Sequence, residues 1–283
     1  MGSPVSVVQM LGPDCYKTYL EPIRGGRDAI THKALVAFHD SGPEDTFVKV
    51  YCRNRAPKAL VNEVAGYVIA KADGLAVSQR AAVLFLTPDQ AGFLSPEVNP
   101  IRSRDGLVVA WCVQSIGGPT PAQAFNLTPG ETDGLTRLQD DFAKWPELPK
   151  AVSLDAWLLN EDRNTGNLIR LASGRYALID HGQICTGNRW SAPLDRSKMK
   201  HVNKLAWAAW GEPDIDNAPS KQRPAILAAC DRHGDTLTEI TTDLEHWLSM
   251  LLGEPEKRDA EGFFSDRTTT VGTYLRSAYG VLI

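Results

Sequence analysis

The stretch from Trp157 to Gly182, WLLNEDRNTGNLIRLASGRYALIDHG, confines the fold more tightly than any other part of the chain. Asp162 and Asn167 stand together in a polar loop, and an apolar pair, Leu168-Ile169, follows at once. After a Ser173-Gly174 turn comes a second apolar run, Tyr176 to Ile179, which ends on Asp180-His181-Gly182. Two short apolar runs about a turn predict a β-hairpin, and a hairpin returns its two ends to one edge. Asn167 and Asp180 are therefore expected side by side, with Asp162 close at hand.

Those residue types suit one chemistry. Phosphoryl transfer from ATP asks little covalent work of a protein; it needs a positioned nucleophile and positive charge, chiefly Mg²⁺, on the phosphates. Magnesium prefers oxygen ligands and commonly takes one or two carboxylates from the protein. In this scheme Asp162 orients the acceptor hydroxyl, and Asn167 and Asp180 hold metal.

The first third of the chain supplies a matching half. Lys49 lies inside an apolar run, Phe47-Val48-Lys49-Val50, and a lysine on a buried strand is costly unless it meets an anion. Glu63, on the helix that follows, is one natural partner and the phosphates of ATP are another. Upstream, Arg24-Gly25-Gly26-Arg27 is a candidate phosphate loop, with the amides of Gly25 and Gly26 approaching the anion.

Around these residues the pattern is strand-rich first and helical later. Ala34 to His39 and Thr46 to Tyr51 are predicted strands about the turn Asp40-Ser41-Gly42-Pro43, and Ala81 to Leu86 and Leu107 to Val113 are two more. Lys58 to Asp73 steps by three and four through Leu60, Val64, Tyr67, Val68 and Lys71, which predicts an amphipathic helix ended by Gly74. Ser115 to Pro121, SIGGPTP, is the clearest break. Helices are expected over Thr132 to Trp145, Leu154 to Leu159, Lys200 to Trp210 and Thr236 to Leu252, with Trp207 and Trp210 as packing residues. The expected fold class is α+β and bilobal: a nucleotide-binding lobe over residues 1–114, rich in strands with one long helix, and a helical catalytic lobe over 115–283.

Composition narrows the partners. With 43% hydrophobic and 23% charged residues the chain is an ordinary globular one. A net charge of -4 and scattered basic residues argue against direct nucleic-acid binding. No apolar run reaches the length of a membrane span, and Met1 to Met10 lacks the pattern of a secretory signal, so neither membrane nor secretion is expected. Five widely spaced cysteines point to free thiols, and with them to a cytoplasmic setting.

Lys49, then RAPKALVNEVAGYVIAKADGLAV, then DRNTGN and ALIDHG resemble the HipA-like kinases, particularly their short members, over roughly residues 20 to 185. The order D-R-x-x-x-N then I-D-H-G is also similar to lipid kinases of the phosphatidylinositol 3-/4-kinase type. The resemblance implies a protein-kinase-like fold, ATP and Mg²⁺, and phosphorylation of a serine or threonine on a protein acceptor. It makes Lys49 the nucleotide lysine with Glu63 its partner. Asp162 becomes the catalytic base, Arg163 fixes that loop or balances its charge, and Asn167 and Asp180 are the metal ligands. Adenine would meet backbone groups near Val113 and Gln114. Gln183 to Arg196 becomes the acceptor-selecting segment, with Thr186 and Ser191 as candidate self-phosphorylation sites. A toxin or regulator of bacterial or phage origin, paired with an antitoxin, is the biological role implied.

The chain departs from the pattern in having Asn164 where those families often carry His after Asp-Arg, and His181-Gly182 where Phe-Gly is usual. Two alternatives stand beside this reading. A small-molecule kinase acting on an alcohol or aminoglycoside fits less well, because Asn160 stands where H-x-D would place the histidine. A nucleotide-binding pseudokinase acting through protein interaction has no need of Asp162, Asn167 and Asp180 together.

Overall fold

A computed structural model describes residues 6–24, 28–128, 130 and 132–281. The fold is α+β. Strands β1 (Val8–Leu11), β2 (Tyr16–Ile23), β3 (Ala29–Ala37), β4 (Pro43–Tyr51), β5 (Ala81–Leu86) and β6 (Val108–Gln114) form one sheet in the order β1-β5-β6-β4-β3-β2. Only β1 and β5 run parallel, so the sheet is mixed. The four strands expected from sequence are all present, and β1 and β2 add to them.

The register of β4 decides where Lys49 goes. Successive strand side chains point to opposite faces. Val48 and Val50 enter a core with Val36, Phe38, Leu84 and Cys112. Lys49 and Tyr51 fall on the other face, where Tyr51 packs with Val83, Val109 and Trp111 beneath helix α1 (Ala59–Ala72). Lys49 sits directly opposite Trp111 in the β4–β6 pairing.

α1 has the predicted bounds to within a residue at each end but not the predicted amphipathic character. Every residue from Ala59 to Ala70 is buried. The reason is a second layer. Leu60, Val64, Tyr67 and Val68 face the sheet and Trp247, while Val61, Ala65, Ile69 and Ala70 face a larger helical core. A helix covered on two sides has no wet face to announce it.

That larger core is built by α3 (Asp133–Phe142), α4 (Leu148–Leu158), α5 (Lys204–Trp210), α6 (Arg223–Leu251) and α7 (Glu254–Ala278), with the short α2 (Pro121–Ala124) leading in. α4 begins six residues before its expected start, at Leu148, because Pro149 sits in the first turn, where its missing N–H costs nothing. α5 begins at Lys204, later than expected, because the Asn203 side chain caps it by accepting Ala206 N–H at 2.9 Å. α6 starts at Arg223, well before Thr236. Trp210 packs against the core, whereas Trp207 lies at the surface, 56% exposed.

The hairpin β7 (Leu168–Ala172) and β8 (Arg175–Leu178) forms as predicted. The Ser115–Pro121 segment crosses to it: Arg170 N–H donates to Pro119 O at 2.9 Å, and Gly118, at φ 91°, lies so close to Arg170 O that a Cβ would stand 2.9 Å away. All five cysteines are free. Among the described residues no helix is long and apolar enough to cross a membrane.

Candidate functional site

The loop carrying Asp162 begins where α4 stops. Arg267 of α7, fully buried, donates to the last carbonyls of that helix, Ala156 O at 2.6 Å and Trp157 O at 2.8 Å. Leu159 turns left-handed at φ 52° and releases the chain. Asn160 then steers it, donating to Asp155 Oδ1 at 2.9 Å and accepting Asp162 N–H at 3.0 Å.

Arg163, expected from sequence to fix this loop or balance its charge, is turned away from solvent. Its side chain is fully buried. It donates to Ile179 O at 2.6 Å and Asp180 O at 3.2 Å, contacts Asp155 Oδ1 at 3.3 Å, and reaches His181 Nδ1 at 3.0 Å. Arg163 is thus a positioning residue that pins the Asp180 turn to the Asp162 loop. Burial pushes the Asp155 carboxyl up to about 6, and Arg163 limits that rise.

The hairpin brings its two candidate ligands together. Ile179 N–H donates to Asn167 O at 3.1 Å, setting Asp180 one residue beyond that contact. Asn167 Nδ2 donates to Asp162 O at 2.6 Å, and among the described residues no group donates to Asn167 Oδ1. Asp180 adopts φ 60°, a left-handed conformation that Asp tolerates better than most residues, and its side chain is 40% exposed. Among the described residues no cluster of three or more His, Cys, Asp and Glu is arranged to hold a metal. One carboxylate and one amide oxygen remain, a hard-oxygen set that fits Mg²⁺ completed by phosphate and water.

Lys49 stands between two carboxylates, 2.6 Å from Glu63 Oε1 and 3.0 Å from Asp180 Oδ2. Burial acts to lower its pKa, but the facing charges of Asp180 and Glu63 outweigh it and keep the ammonium protonated. Burial raises the Glu63 carboxyl against the pull of Lys49. Burial also acts to raise Asp180, yet Lys49 prevails and lowers it. Tyr51 OH donates to Glu63 Oε1 at 2.7 Å. The neighbouring Asn62 donates to Gly182 O, Ile184 O and Gly187 O at 2.8–3.1 Å and accepts from Trp190 Nε1 at 2.9 Å. One turn along, Gly66 lets His181 approach so closely that a Cβ there would stand 2.4 Å from His181 Cβ.

Two cavities meet at these residues. One of about 530 Å³ is lined by Lys49, Glu63, Asn167 and Asp180, with an apolar wall that includes Phe47 and Trp111. The other, of about 410 Å³, is lined by Asp162 and Lys204 among polar side chains. Asp162 therefore sits on the second cavity, and its Oδ2 lies 3.4 Å from Asn167 Nδ2 of the first.

No protein-family model matches the chain, and no curated protein matches it.

The polar end of the first cavity offers a fixed cation and two oxygen donors, and its apolar end suits a planar ring. Adenine contacts are expected near Val113 and Gln114. Both residues line the cavity, but Val113 is paired with Phe47 on one side and Ala81 on the other. Gln114 N–H donates to Arg80 O at 3.0 Å and its carbonyl accepts from Ser78 Oγ at 2.7 Å. Ser115 N–H is spent on Asp45 O at 2.8 Å. Among the described residues no backbone hydrogen bond takes the Ile116 or Gly117 amide, so backbone donors stand free just beyond Gln114. Gly25 and Gly26, the candidate phosphate loop, lie outside the described residues.

Sequence reasoning passed over Tyr51, Asn62, Gly66 and Lys204. Asn62 and Gly66 left a trace, because a buried helix this apolar carries an amide and a glycine only where something demands them. Lys204 left none.

Proposed function

We propose that the protein is an ATP- and Mg²⁺-dependent phosphotransferase of HipA-like type, with a protein-kinase-like bilobal arrangement and a protein serine or threonine as acceptor. The observation that carries this reading is the Lys49 ammonium held between Glu63 and Asp180 in one cavity, with Asn167 beside it. A lysine so placed, from a strand, with a helix glutamate behind it and an aspartate from a post-hairpin turn in front, is the charge arrangement that phosphate gripping requires.

In this scheme Lys49 meets the phosphates, and Glu63 fixes its direction. Asn167 Oδ1 and the exposed part of Asp180 hold Mg²⁺, which when bound neutralises phosphate charge. The Phe47 and Trp111 wall takes the base, with backbone donors at Ile116 and Gly117. Asp162, on the adjoining cavity, orients the acceptor hydroxyl and takes its proton. Arg163 and Asn62 keep the two halves in register without touching either substrate.

Labelled ATP with Mg²⁺ and a cell extract tests this directly. Transfer to protein is expected. Asp162→Ala should abolish transfer and leave nucleotide binding within about threefold, because its carboxylate lies on the other cavity; Asp180→Ala should weaken Mg²⁺-dependent binding about tenfold or more. Wild-type protein that binds no nucleotide, or that binds it and transfers phosphate to nothing, overturns the reading.

A further inference from the structure

Lys204 is the first residue of α5, and its ammonium lies 2.6 Å from Asp162 Oδ1. Its backbone is held from below. Asn203, fully buried, receives its fold from three bonds: N–H to Pro213 O at 2.8 Å, Nδ2 to Val152 O at 3.0 Å, and the cap to Ala206. Leu205 and Ala206 are fully buried in the helical core. A long flexible side chain thus rises from a fixed base to the one carboxylate that the phosphotransfer reading makes the base.

Stability gives no reason for this pair. Both side chains are more than a third exposed, at 37% and 38%. Ion pairs this wet contribute roughly 0–1 kcal/mol. Function gives one. Charge that develops on a transferring phosphoryl group needs positive charge on both sides of its path. On the nucleotide side Lys49 provides it. On the acceptor side Arg163 is buried and spent on carbonyls, and Lys198 is paired with Glu161 at 2.9 Å. Among the described residues lining the second cavity, where Asp28 and Glu161 add carboxylates to Asp162, Lys204 is the one cation.

We propose that Lys204 is a catalytic residue that contacts the phosphoryl group in transit from the first cavity to the second. This rests on the phosphotransferase reading above. In the step, the acceptor oxygen bonds to the γ-phosphorus as the bond from that phosphorus to the β,γ-bridging oxygen breaks. ADP leaves with the bridging electron pair, and the acceptor proton passes to Asp162. Lys204, 2.6 Å from Asp162, faces the phosphoryl oxygens where they draw near that carboxylate. With no phosphoryl group present it rests on Asp162 and keeps that side chain aimed.

The test compares wild type with Lys204→Met and Lys204→Arg, using phosphate release from Mg²⁺-ATP to water or extract protein. Lys204→Met is expected to lower kcat about a hundredfold with the KM for ATP unchanged, and Lys204→Arg to recover part of it. A second measurement needs no turnover. Calorimetric binding of ADP with Mg²⁺ and tetrafluoroaluminate, a planar phosphoryl mimic, should weaken at least tenfold in Lys204→Met while binding of ADP with Mg²⁺ alone does not change. Thermal unfolding should be the same in all three proteins. Wild-type kcat in Lys204→Met, or equal loss of ADP and ADP-tetrafluoroaluminate affinity, overturns the proposal and leaves the phosphotransferase reading standing. Wild-type protein that releases no phosphate overturns both.

Discussion

Glu63 accepts the backbone N–H of His181 at 2.8 Å through one carboxylate oxygen, and the Lys49 ammonium at 2.6 Å through the other. Tyr51 OH donates to that second oxygen as well. A single buried side chain on α1 therefore joins the sheet to the turn that presents Asp180. Both carboxylate oxygens of Glu63 are engaged, one by two side chains of β4 and the other by the backbone of the Asp180 turn.

Glu63→Ala removes the acceptor of three donors in a buried setting. Lys49 keeps Asp180, which softens the loss of charge, so destabilisation of about 3 kcal/mol is expected in urea unfolding. Nucleotide affinity should fall about tenfold or more, since neither Lys49 nor the Asp180 turn is then fixed. Glu63→Gln keeps an accepting oxygen for Lys49 and should lie between the two. A Glu63→Ala protein with wild-type stability and affinity would disprove the linking role.

Gly66→Ala adds one methyl group at the point where α1 touches His181. The new Cβ would stand 2.4 Å from His181 Cβ and 2.7 Å from Cγ, closer than real contacts allow. Helix propensity alone would make Ala an improvement by roughly 1 kcal/mol, so any loss reports the clash. The Asp180 turn is expected to shift and nucleotide binding to fall at least tenfold, with thermal stability reduced. Combining it with His181→Gly removes the atom that is struck, and binding should recover in part. Failure of the double variant to bind better than Gly66→Ala would place the damage elsewhere.

The parts of this site that sequence revealed are those set by local pattern. The hairpin that carries Asn167 and Asp180 lies within one short stretch, so its turn residues and apolar runs fixed its ends. Lys49 was legible because its apolar neighbours made a free ammonium untenable. The adenine-side backbone was not, because a free N–H depends on pairing at both edges of β6, with β4 from before it and β5 beside it, and residue types do not state that. The buried character of α1 was hidden for a similar reason: the layer that covers its outer face is α6, supplied from the far end of the chain. Arg163 was expected to fix its loop or balance its charge, and only the packing of Asp155 and the Ile179 carbonyl against it shows which partners it serves.

Arg163→Met should be among the most damaging single changes outside the hydrophobic core. It leaves the Ile179 and Asp180 carbonyls without their donor and Asp155 without its counter-charge, all in a buried place. Removal of one partner of such a pair costs about 3–5 kcal/mol. Arg163→Lys keeps the charge but cannot serve three directions from one planar group, so partial recovery is expected. Urea midpoints for the three proteins check the order. Equal midpoints would mean that the buried network contributes nothing to folding.

Acid should begin to destabilise the protein above the pH at which ordinary carboxylates titrate. Burial lowers His32 to about 4 and His233 to about 3, burial with the Arg163 charge lowers His181 well below its ordinary 6.5, and burial lowers His201 as well. Below 6.5 the unfolded chain takes up protons on these four histidines that the folded chain refuses. Each removes about 1.4 kcal/mol of stability per pH unit. Asp155 acts the other way: its folded carboxyl, at about 6 against an ordinary 3.8, binds a proton that the unfolded chain releases, so stability returns through it as pH falls. Glu63 is raised and Asp180 lowered, and these oppose each other. The histidine losses outnumber the opposing carboxylate gains, so stability falls on balance as the pH drops from 6.5 toward 4. Urea unfolding at pH 7.5, 6 and 5 measures the slope. His233→Gln, which lies outside both cavities, removes one of these protons and should make the net slope shallower whatever it does to stability at pH 7.5. A slope identical to that of wild type would show that His233 is not held neutral in the fold.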